Sequence, residues 1–315
     1  MDNESFHVFD GKRKRLAVKS SSGAEGTICF LGRRTAVKIY HSPDELKMEK
    51  VKALISKIKS LSFWDRRYIN KHMAVPGGII MDENGNEIGF KMKRFSKKYD
   101  HHEVVFLDNK RLYVKRFVFA CQLARLAHIL HKNDIFIGDY NRRNFLADTK
   151  GNLMMVDADT VDFTYEEIHY KCRAYFPESV RPETLQMLMK MDKDYAENDT
   201  VVFDEESDDY SLAYTVYKLI ALGSPYACVP SEVAEHLRIL DGICPIYKKD
   251  KEYSVPKYLV KKRHFGIRLN RLFKRVFVNG EHIKAKKLYR ALKARLKRFD
   301  YQILPVKTYG GERVY

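Results

Sequence analysis

The sequence predicts a two-lobed α+β fold, with a smaller strand-rich amino-terminal part and a larger helical carboxy-terminal part. Strand–turn–strand signals come before residue 95, and helical periodicity follows it. The chain has 315 residues and a hydrophobic content of 45%, which is enough to bury a large core. We therefore expect a small lobe over residues 1–95 and a large lobe over residues 96–315.

The first strand signals surround two glycines. Gly23 and Gly26 lie in the segment Ser21–Ile28, and an apolar segment, Thr35–Tyr40, follows after a basic turn. This order predicts strand, turn, strand, in which backbone N–H groups of the glycine turn can approach phosphates and Lys38 can reach them. Each half also has an ordinary explanation, because Gly-x-x-Gly occurs in hairpins and a strand lysine can extend to water.

A helix and a second strand pair complete the expected small lobe. The helix is predicted near residues 44–60, where the apolar positions at helical spacing are Leu46, Val51, Leu54 and Ile55. Two strands are predicted over Met73–Met81 and Glu87–Phe95. Asn84-Gly85 between them is typical of a tight hairpin turn.

Helices dominate the expected large lobe. A long buried helix is predicted over Lys110–Lys132, and a central helix begins near Ser207 after a polar, acidic loop, Asp192–Asp209. Two further helices are predicted within Leu269–Gly280 and Ala285–Phe299.

The most informative motif lies between these helices. Asp139 is followed five residues later by Asn144, and Asp157 comes thirteen residues after that, beyond a short apolar run. A carboxylate, an amide and a second carboxylate in this order can serve as a base and two metal ligands around Mg-ATP. Mg²⁺ is usually held by one or two protein oxygens together with phosphate oxygens and water. A surface turn rich in Asp and Asn is the alternative explanation for this segment alone.

A glycine turn, a strand lysine, Asp-x4-Asn and a later Asp, found in this order, resemble the protein-kinase fold from about residue 15 onward. The chain is most similar to bacterial eukaryotic-type Ser/Thr protein kinase domains, in particular a branch often fused to helix-hairpin-helix modules. The resemblance implies a two-lobed kinase-like fold. It also implies transfer of the γ-phosphate of ATP, with Mg²⁺ or Mn²⁺, to a Ser or Thr hydroxyl of a protein substrate.

The resemblance assigns roles in the small lobe. Gly23 and Gly26 match glycines of the phosphate loop, and Lys38 matches the lysine that contacts the α- and β-phosphates. Its partner in the family is a glutamate on the following helix, for which we choose Glu49, with Glu45 as the second choice. A solvated helix charge is the other interpretation of Glu49.

The resemblance also assigns roles in and after the Asp139 motif. Asp139 matches the catalytic base, and Asn144 and Asp157 match the metal ligands. Gly138 stands where an arginine often precedes the base, so switching by loop phosphorylation is not expected. Asp159 departs from the family's Asp-Phe-Gly, and we expect it to hydrogen-bond within its own loop rather than to bind a second metal.

Two features further along favour a protein substrate. Pro182-Glu183 resembles the end of an activation segment, and Asp208 resembles the residue of the central helix that anchors the catalytic loop. Three alternatives stay open: a small-molecule kinase of the aminoglycoside or choline type, a pseudokinase, and a basic nucleic-acid-binding protein on a kinase scaffold.

Charge and cysteine content add two expectations. Residues 246–315 carry 21 Lys or Arg against 5 Asp or Glu, which accounts for +16 of the chain's net charge of +17. Such a concentration of charge predicts a polyanionic partner for the carboxy-terminal region: nucleic acid, an anionic membrane surface or an acidic protein. The five cysteines form no C-x-x-C pair, and neither a signal peptide nor a transmembrane segment is indicated, so we expect a cytoplasmic protein.

Overall fold

The computed structural model describes residues 5–96, 98–107, 113–190 and 203–302. These residues form two compact units. The first unit is drawn from Met1–Tyr99, Met154–Asp159 and Phe163–Tyr170, and the second from Asp100–Leu153, Thr160–Asp162 and Lys171–Tyr315. Two short segments that follow Asn144 in sequence, the first of which carries Asp157, therefore belong to the first unit. The sequence pattern did not indicate this.

The strands of the described chain are β1 (Ser5–Asp10), β2 (Arg13–Ser22), β3 (Gly26–Phe30), β4 (Thr35–Tyr40), β5 (Gly78–Met81), β6 (Glu87–Lys93), β7 (Asp100–His101), β8 (Ile135–Phe136), β9 (Phe145–Ala147), β10 (Leu153–Met155), β11 (Asp162–Tyr165) and β12 (Ile168–Tyr170). The helices are α1 (Glu45–Ser60), α2 (Phe63–His72), α3 (His102–Leu107), α4 (Tyr113–His131), α5 (Pro182–Lys190), α6 (Glu205–Ala221), α7 (Glu235–Leu240), α8 (Ile267–Phe277) and α9 (Ala285–Gln302).

A closed antiparallel barrel, in the order β1-β2-β3-β4-β6-β5, is the centre of the first unit. Its interior contains small and β-branched side chains, one from each of the strands β1 to β5: Val8, Ala17, Cys29, Val37 and Ile80. Asp82 closes the predicted turn between β5 and β6 by accepting hydrogen bonds from the backbone N–H groups of Asn84 and Asn86. The strand expected to begin at Met73 begins instead at Gly78.

Helix α1 packs against the barrel, as the sequence predicted. Asp44 caps its first turn by accepting a hydrogen bond from the Lys47 N–H at 2.8 Å. The side chains of Met48, Val51 and Ile55 are buried against the barrel residues Tyr40 and Phe90. Leu46 was expected on this apolar face but is 67% exposed, because it lies in the first turn, on the side away from the barrel.

Helix α2 and the hairpin of β11 and β12 were not predicted from the sequence. Helix α2 is short and carries an exposed aromatic pair, Phe63 and Trp64, so it lacks the apolar stripe that identifies a core-facing helix. The hairpin is built from strands of three and four residues, too short for the period-2 pattern to be distinctive.

Three long helices, α4, α6 and α9, form the core of the second unit. Helix α4 packs on both of the others. The long helix predicted over Lys110–Lys132 is observed as Tyr113–His131, while residues 108–112 lie outside the described chain. Asp204 caps α6 through a 2.8 Å hydrogen bond from the Ser207 N–H. Most of the acidic loop predicted before α6, residues 191–202, also lies outside the described residues.

Helices α4 and α9 run antiparallel. Near the start of α4, the rings of Tyr113 and Phe117 contact Phe299 near the end of α9, with centroid distances of 5.8 and 5.1 Å. Among the helices of the described residues, none combines the length and hydrophobicity needed to cross a bilayer.

Replacing the fully buried Phe117 with Ala should destabilise the second unit by about 3–5 kcal/mol, because the change removes apolar contacts and leaves a cavity between α4 and α9. The free energy of unfolding in urea measures the effect. The matched control is Ile267→Ala at a 69% exposed position of α8, which should cost less than about 1 kcal/mol. Equal destabilisation of the two variants would contradict this packing.

Candidate functional site

Lys38 is a buried lysine at the centre of a carboxylate cluster in the first unit. Its side chain projects from β4 and is only 6% exposed. The Nζ atom lies 2.9 Å from Asp159 Oδ2, 3.3 Å from Glu25 Oε2 and 3.4 Å from Asp157 Oδ1. The structure therefore brings two of the predicted site residues, Lys38 and Asp157, together across 119 positions of sequence.

The predicted ion pair between Lys38 and Glu49 is not observed among the described residues. Helix α1 buries the side chain of Met48 against the barrel, and the next residue, Glu49, is turned about 100° around the helix axis and is exposed. Glu45, the second choice, is exposed at the start of the same helix. The nearest carboxylate oxygen to Lys38 belongs to Asp159 instead.

Asp159 also accepts a hydrogen bond from the Tyr40 hydroxyl to its Oδ2 at 2.7 Å. The expectation that Asp159 bonds within its own loop is thus wrong, because its side chain is turned into the first unit and is 5% exposed. Tyr40 was not singled out from the sequence. One sequence signal could have identified it. Residues two apart on a strand lie on the same face, so Tyr40 shares the face of β4 that carries Lys38.

Charges and burial oppose each other at this cluster. Burial alone would lower the pKa of the Lys38 ammonium, but the negative charge of Asp159, followed by that of Asp157, raises the pKa above its usual value. Burial raises the pKa of the Asp157 carboxyl, an effect that Lys38 partly offsets. Burial, and then the charge of Asp159, raises the pKa of the Tyr40 hydroxyl. Lys38 is therefore a fixed positive charge at neutral pH.

The two predicted loop glycines lie at the hairpin between β2 and β3. The Gly23 N–H donates a 2.9 Å hydrogen bond to the Gly26 carbonyl oxygen. A Cβ atom at Gly26 would lie 2.5 Å from the carbonyl oxygen of Ile39 on β4, so no larger residue fits there. The hairpin brings Glu25 to Lys38, and its Ala24 carbonyl lies 3.2 Å from Nδ1 of His41.

In the second unit, the loop of residues 137–146, here called the Asp139 loop, brings Asp139 and Asn144 into contact. The Asn144 side-chain amide donates a 2.8 Å hydrogen bond to Asp139 Oδ2, and the Asn141 N–H donates to Oδ1 at 3.0 Å. Asp139 is 8% and Asn144 5% exposed. Because Asn144 uses its nitrogen on Asp139, its carbonyl oxygen is the atom suited to a hard cation.

The Asp139 loop is anchored by the fully buried carboxylate of Asp208 on α6. Asp208 accepts hydrogen bonds from the Gly138 N–H at 2.8 Å and from the Tyr140 hydroxyl at 3.1 Å. This confirms the anchoring role predicted for Asp208. Gly138 adopts φ +68°, and a Cβ there would lie 2.6 Å from Cys172 Sγ, which explains why glycine replaces the expected arginine.

His131 at the end of α4 completes the anchor and was missed by sequence reasoning. Its Nε2 donates to Asp208 Oδ2 at 2.6 Å, and its Nδ1 lies 3.3 Å from Asp209 Oδ1. Burial alone would lower the pKa of His131, but the two aspartates outweigh it and raise the pKa to about 10. The imidazolium therefore balances the buried charge of Asp208 at neutral pH. His282 Nε2 contacts the second aspartate, Asp209, at 2.7 Å.

A cavity of about 240 Å³ opens beside the Asp139 loop in the second unit. Much of its wall is aromatic, and two cationic side chains also line it: Phe106, Tyr140, Phe176, Tyr214, Arg142 and Lys218. The cavity is large enough to receive a side chain from another molecule, and it lies next to the residues that flank Asp139.

Comparison with solved structures defines the class of this fold: it is a two-lobed protein kinase-like α+β fold. A rhoptry kinase from Toxoplasma gondii matches with a TM-score of 0.61 at 13% identity, covering 94% of this chain and 85% of that chain. The ROP18 kinase domain in complex with AMP-PNP and sucrose matches with a TM-score of 0.57 at 14% identity, covering 96% and 88%.

A third similar structure is ROP2 from Toxoplasma gondii, described as a virulence factor with a protein-kinase fold and no enzymatic activity. It matches with a TM-score of 0.59 at 14% identity and covers 94% of this chain and 86% of its own. No protein-family model matches the chain, and no curated protein matches it. At these identities the likeness shows the kinase fold alone.

Replacing His131 with Gln should flatten the dependence of stability on pH. Because the folded-state pKa, about 10, lies above the unfolded value of 6.5, the protonated histidine contributes its full stability below pH 6.5, and this contribution is lost as the pH rises towards 10. Urea unfolding of both proteins from pH 6 to 10 measures the difference. The stability gap between wild type and variant should narrow with rising pH, and a constant gap would contradict the assignment.

Proposed function

We propose that this chain is a protein kinase that transfers the γ-phosphate of Mg-ATP to a Ser or Thr hydroxyl of a protein. The observation that carries the proposal is the pairing of Asp139 with Asn144 in a loop fixed by buried Asp208. A base needs a defined position to accept a proton, and a rigid hydrogen-bonded loop supplies it. The resemblance of the motif to that of kinases and the kinase fold of the neighbours support the same function.

Asn144 and Asp157 each carry a type of side chain that binds magnesium. Asn144 offers an amide oxygen, and Asp157 offers a carboxylate that is 41% exposed and therefore accessible to a cation. When bound, Mg²⁺ would neutralise phosphate charge during transfer. Both ligand atoms are hard oxygens, the type that Mg²⁺ and Mn²⁺ prefer.

Each remaining residue has a role of its own in the proposal. Asp139 accepts or orients the proton of the acceptor hydroxyl, and Lys38 fixes the α- and β-phosphates of ATP. Gly23 and Gly26 allow the hairpin backbone to cover those phosphates. We assign the nucleotide-binding lobe to residues 1–95, to which the first unit adds Met154–Asp159 and Phe163–Tyr170, and the lobe that binds the protein substrate to the rest of residues 96–315. The cavity beside the Asp139 loop can take a side chain of the acceptor.

The sequence-based resemblance to bacterial eukaryotic-type Ser/Thr kinases, their helix-hairpin-helix branch and a cytoplasmic location belong to the same proposal. The neighbouring ROP2 structure, which has a kinase fold and no enzymatic activity, makes a pseudokinase the main competitor. Retention of Lys38, Asp139, Asn144 and Asp157 favours an active enzyme.

Transfer of labelled γ-phosphate from ATP with Mg²⁺ or Mn²⁺ to a generic protein acceptor tests the function. Asp139→Ala should lower the rate by about 10²–10⁴-fold through loss of the base. Asp157→Ala should remove turnover through loss of a metal ligand. Glu83→Gln, which changes a surface carboxylate that is 64% exposed, is the control and should keep wild-type turnover.

Wild-type turnover in Asp157→Ala would show that the metal assignment is wrong. No labelled protein with the wild type, together with measurable ATP binding, would indicate a pseudokinase or a kinase for small molecules, and candidate aminoglycoside and choline acceptors would separate these two.

A second candidate function is binding of a nucleic-acid backbone. Helix α4 contains no acidic residue, and the one acidic residue of α9 is Asp300. Because these helices are antiparallel, the cations in and directly after the last half of α4 adjoin those of the first half of α9. We call this set the α4–α9 basic seam, and it comprises Arg125, Lys132, Lys286, Arg290 and Lys293.

The lowered pKa of His128 reflects the positive potential near this seam. Burial lowers the pKa of His128, and the positive charges of Lys286, His131, Lys132 and Arg290 lower it further. Among the described residues, none of the strongly exposed large apolar side chains lies on α4 or α9, whereas a membrane-binding helix normally inserts such groups. The seam therefore fits phosphate groups of nucleic acid better than a lipid surface.

Salt dependence of binding tests this second function. Affinity for a fluorescent DNA duplex should fall steeply with salt, and Lys286→Gln/Arg290→Gln/Lys293→Gln should make the slope of log K against log salt shallower by up to about 3, or about 1 for each phosphate that is no longer neutralised. The matched control, Lys12→Gln/Lys14→Gln/Lys52→Gln, removes the same charge from the first unit and should keep the slope. If the two triple variants change the salt slope equally, the seam is not the nucleic-acid site. Binding to anionic vesicles but not to the duplex would also refute it.

A further inference from the structure

We propose that Asp159, not a carboxylate of helix α1, is the residue that positions Lys38 for the nucleotide. The inference rests on the proposed function, because it concerns the lysine assigned to the phosphates. It adds a positioning residue that neither the motif nor the fold comparison assigns. The geometric basis is the 2.9 Å contact between Lys38 Nζ and Asp159 Oδ2, the shortest of the three carboxylate contacts of this lysine.

The three carboxylates around Lys38 differ in exposure, and this difference separates their roles. The side chain of Asp159 is 5% exposed, whereas those of Asp157 and Glu25 are 41% and 54% exposed. A buried ion pair is weakly screened and held in one geometry, while exposed carboxylates exchange readily with water or other anions. Asp159 is thus the permanent partner, and Glu25 is the one that an incoming phosphate can displace.

Tyr40 fixes the position of Asp159. Its hydroxyl donates to the same Oδ2 atom that Lys38 contacts, so two donors from one face of β4 converge on one carboxylate oxygen. The other oxygen, Oδ1, is buried and has no hydrogen-bond partner in the described structure. The buried charge of Asp159 is therefore compensated mainly by Lys38 and Tyr40, and it holds the lysine strongly for the same reason.

This arrangement has a consequence for regulation. Asp159 lies two residues after Asp157, so the anchor of the phosphate-binding lysine and a proposed metal ligand lie on one short segment of the first unit. Glu49 and Glu45 are exposed on α1 and carry no part of the lysine's anchor. Displacement of α1 therefore breaks no ion pair of Lys38.

The reactivity of Lys38 provides a direct test. Amine acylation of the whole protein, followed by peptide mass spectrometry, gives the labelling rate of Lys38 as a function of pH. In the wild type the ion pair with Asp159 should keep this rate low. Asp159→Asn removes the ion pair and leaves the burial, so the labelling curve should move to faster rates, by at least about tenfold at pH 7, the change expected for the loss of one charge-assisted hydrogen bond.

Two further variants make the test specific. Glu49→Gln tests whether the glutamate of α1 holds Lys38 instead. If Lys38 labelling changes in this variant and does not change in Asp159→Asn, the proposal is wrong. Tyr40→Phe keeps both charges and removes one hydrogen bond, so it should move the labelling curve in the same direction as Asp159→Asn but by less. It serves as the working variant if Asp159→Asn does not fold, and an unchanged curve in Tyr40→Phe would then count against the proposal.

ATP affinity supplies the functional readout. Asp159→Asn should weaken ATP binding at least about tenfold, the change expected for one charge-assisted hydrogen bond, and Asp159→Glu should restore part of it. Lys38 labelling requires neither ATP nor phosphate transfer. The labelling experiment therefore tests the role of Asp159 even if the protein is not a kinase. A Lys38 curve that is the same in the wild type and Asp159→Asn would refute the anchor even in an active kinase.

Discussion

The buried carboxylate of Asp208 is the constraint on which the Asp139 loop depends. A charge with no solvent exposure is tolerated only when it is paired and hydrogen-bonded, and Asp208 obtains these partners from His131, the Gly138 N–H and the Tyr140 hydroxyl. Satisfying one charge thus ties α4 and α6 to the loop. The anchored loop holds the neighbouring Asp139 in a fixed position, and the hydrogen bond from Asn144 to Asp139 stabilises the loop further.

The first unit also contains a buried charge that needs partners, but this charge is positive. Lys38 is the buried charge there, and carboxylates from a hairpin and from the segment after β10 gather around it. The most buried of them, Asp159, is in turn bound by Tyr40. A lysine compensated in this way keeps its positive charge, which is the property that a phosphate-binding group requires.

Charges are segregated between the interior and the surface of the second unit. Two of its buried acidic residues, Asp208 and Asp209, face the histidines His131 and His282, whereas the exposed faces of α4 and α9 carry cations. The interior pairs determine the conformation of the loop. The surface cations contribute little to stability, because exposed charges are screened, and their concentration on one pair of helices is the basis of the proposed nucleic-acid binding.

The sequence alone determined the fold class, α1, α4, α6, α8, α9 and the placement of Asp139 and Asn144 in one site, because hydrophobic periodicity and a five-residue spacing are local properties. It did not determine the partner of Lys38, since the family pattern indicated Glu49 and the contact with Asp159 spans 121 positions. Only tertiary structure decides such a contact: the strand that carries Lys38 and the segment that carries Asp159 meet through packing, and burial selects which nearby carboxylate remains paired. His131 shows the same limit, because no local pattern distinguishes a histidine that will meet a buried aspartate from one that faces water.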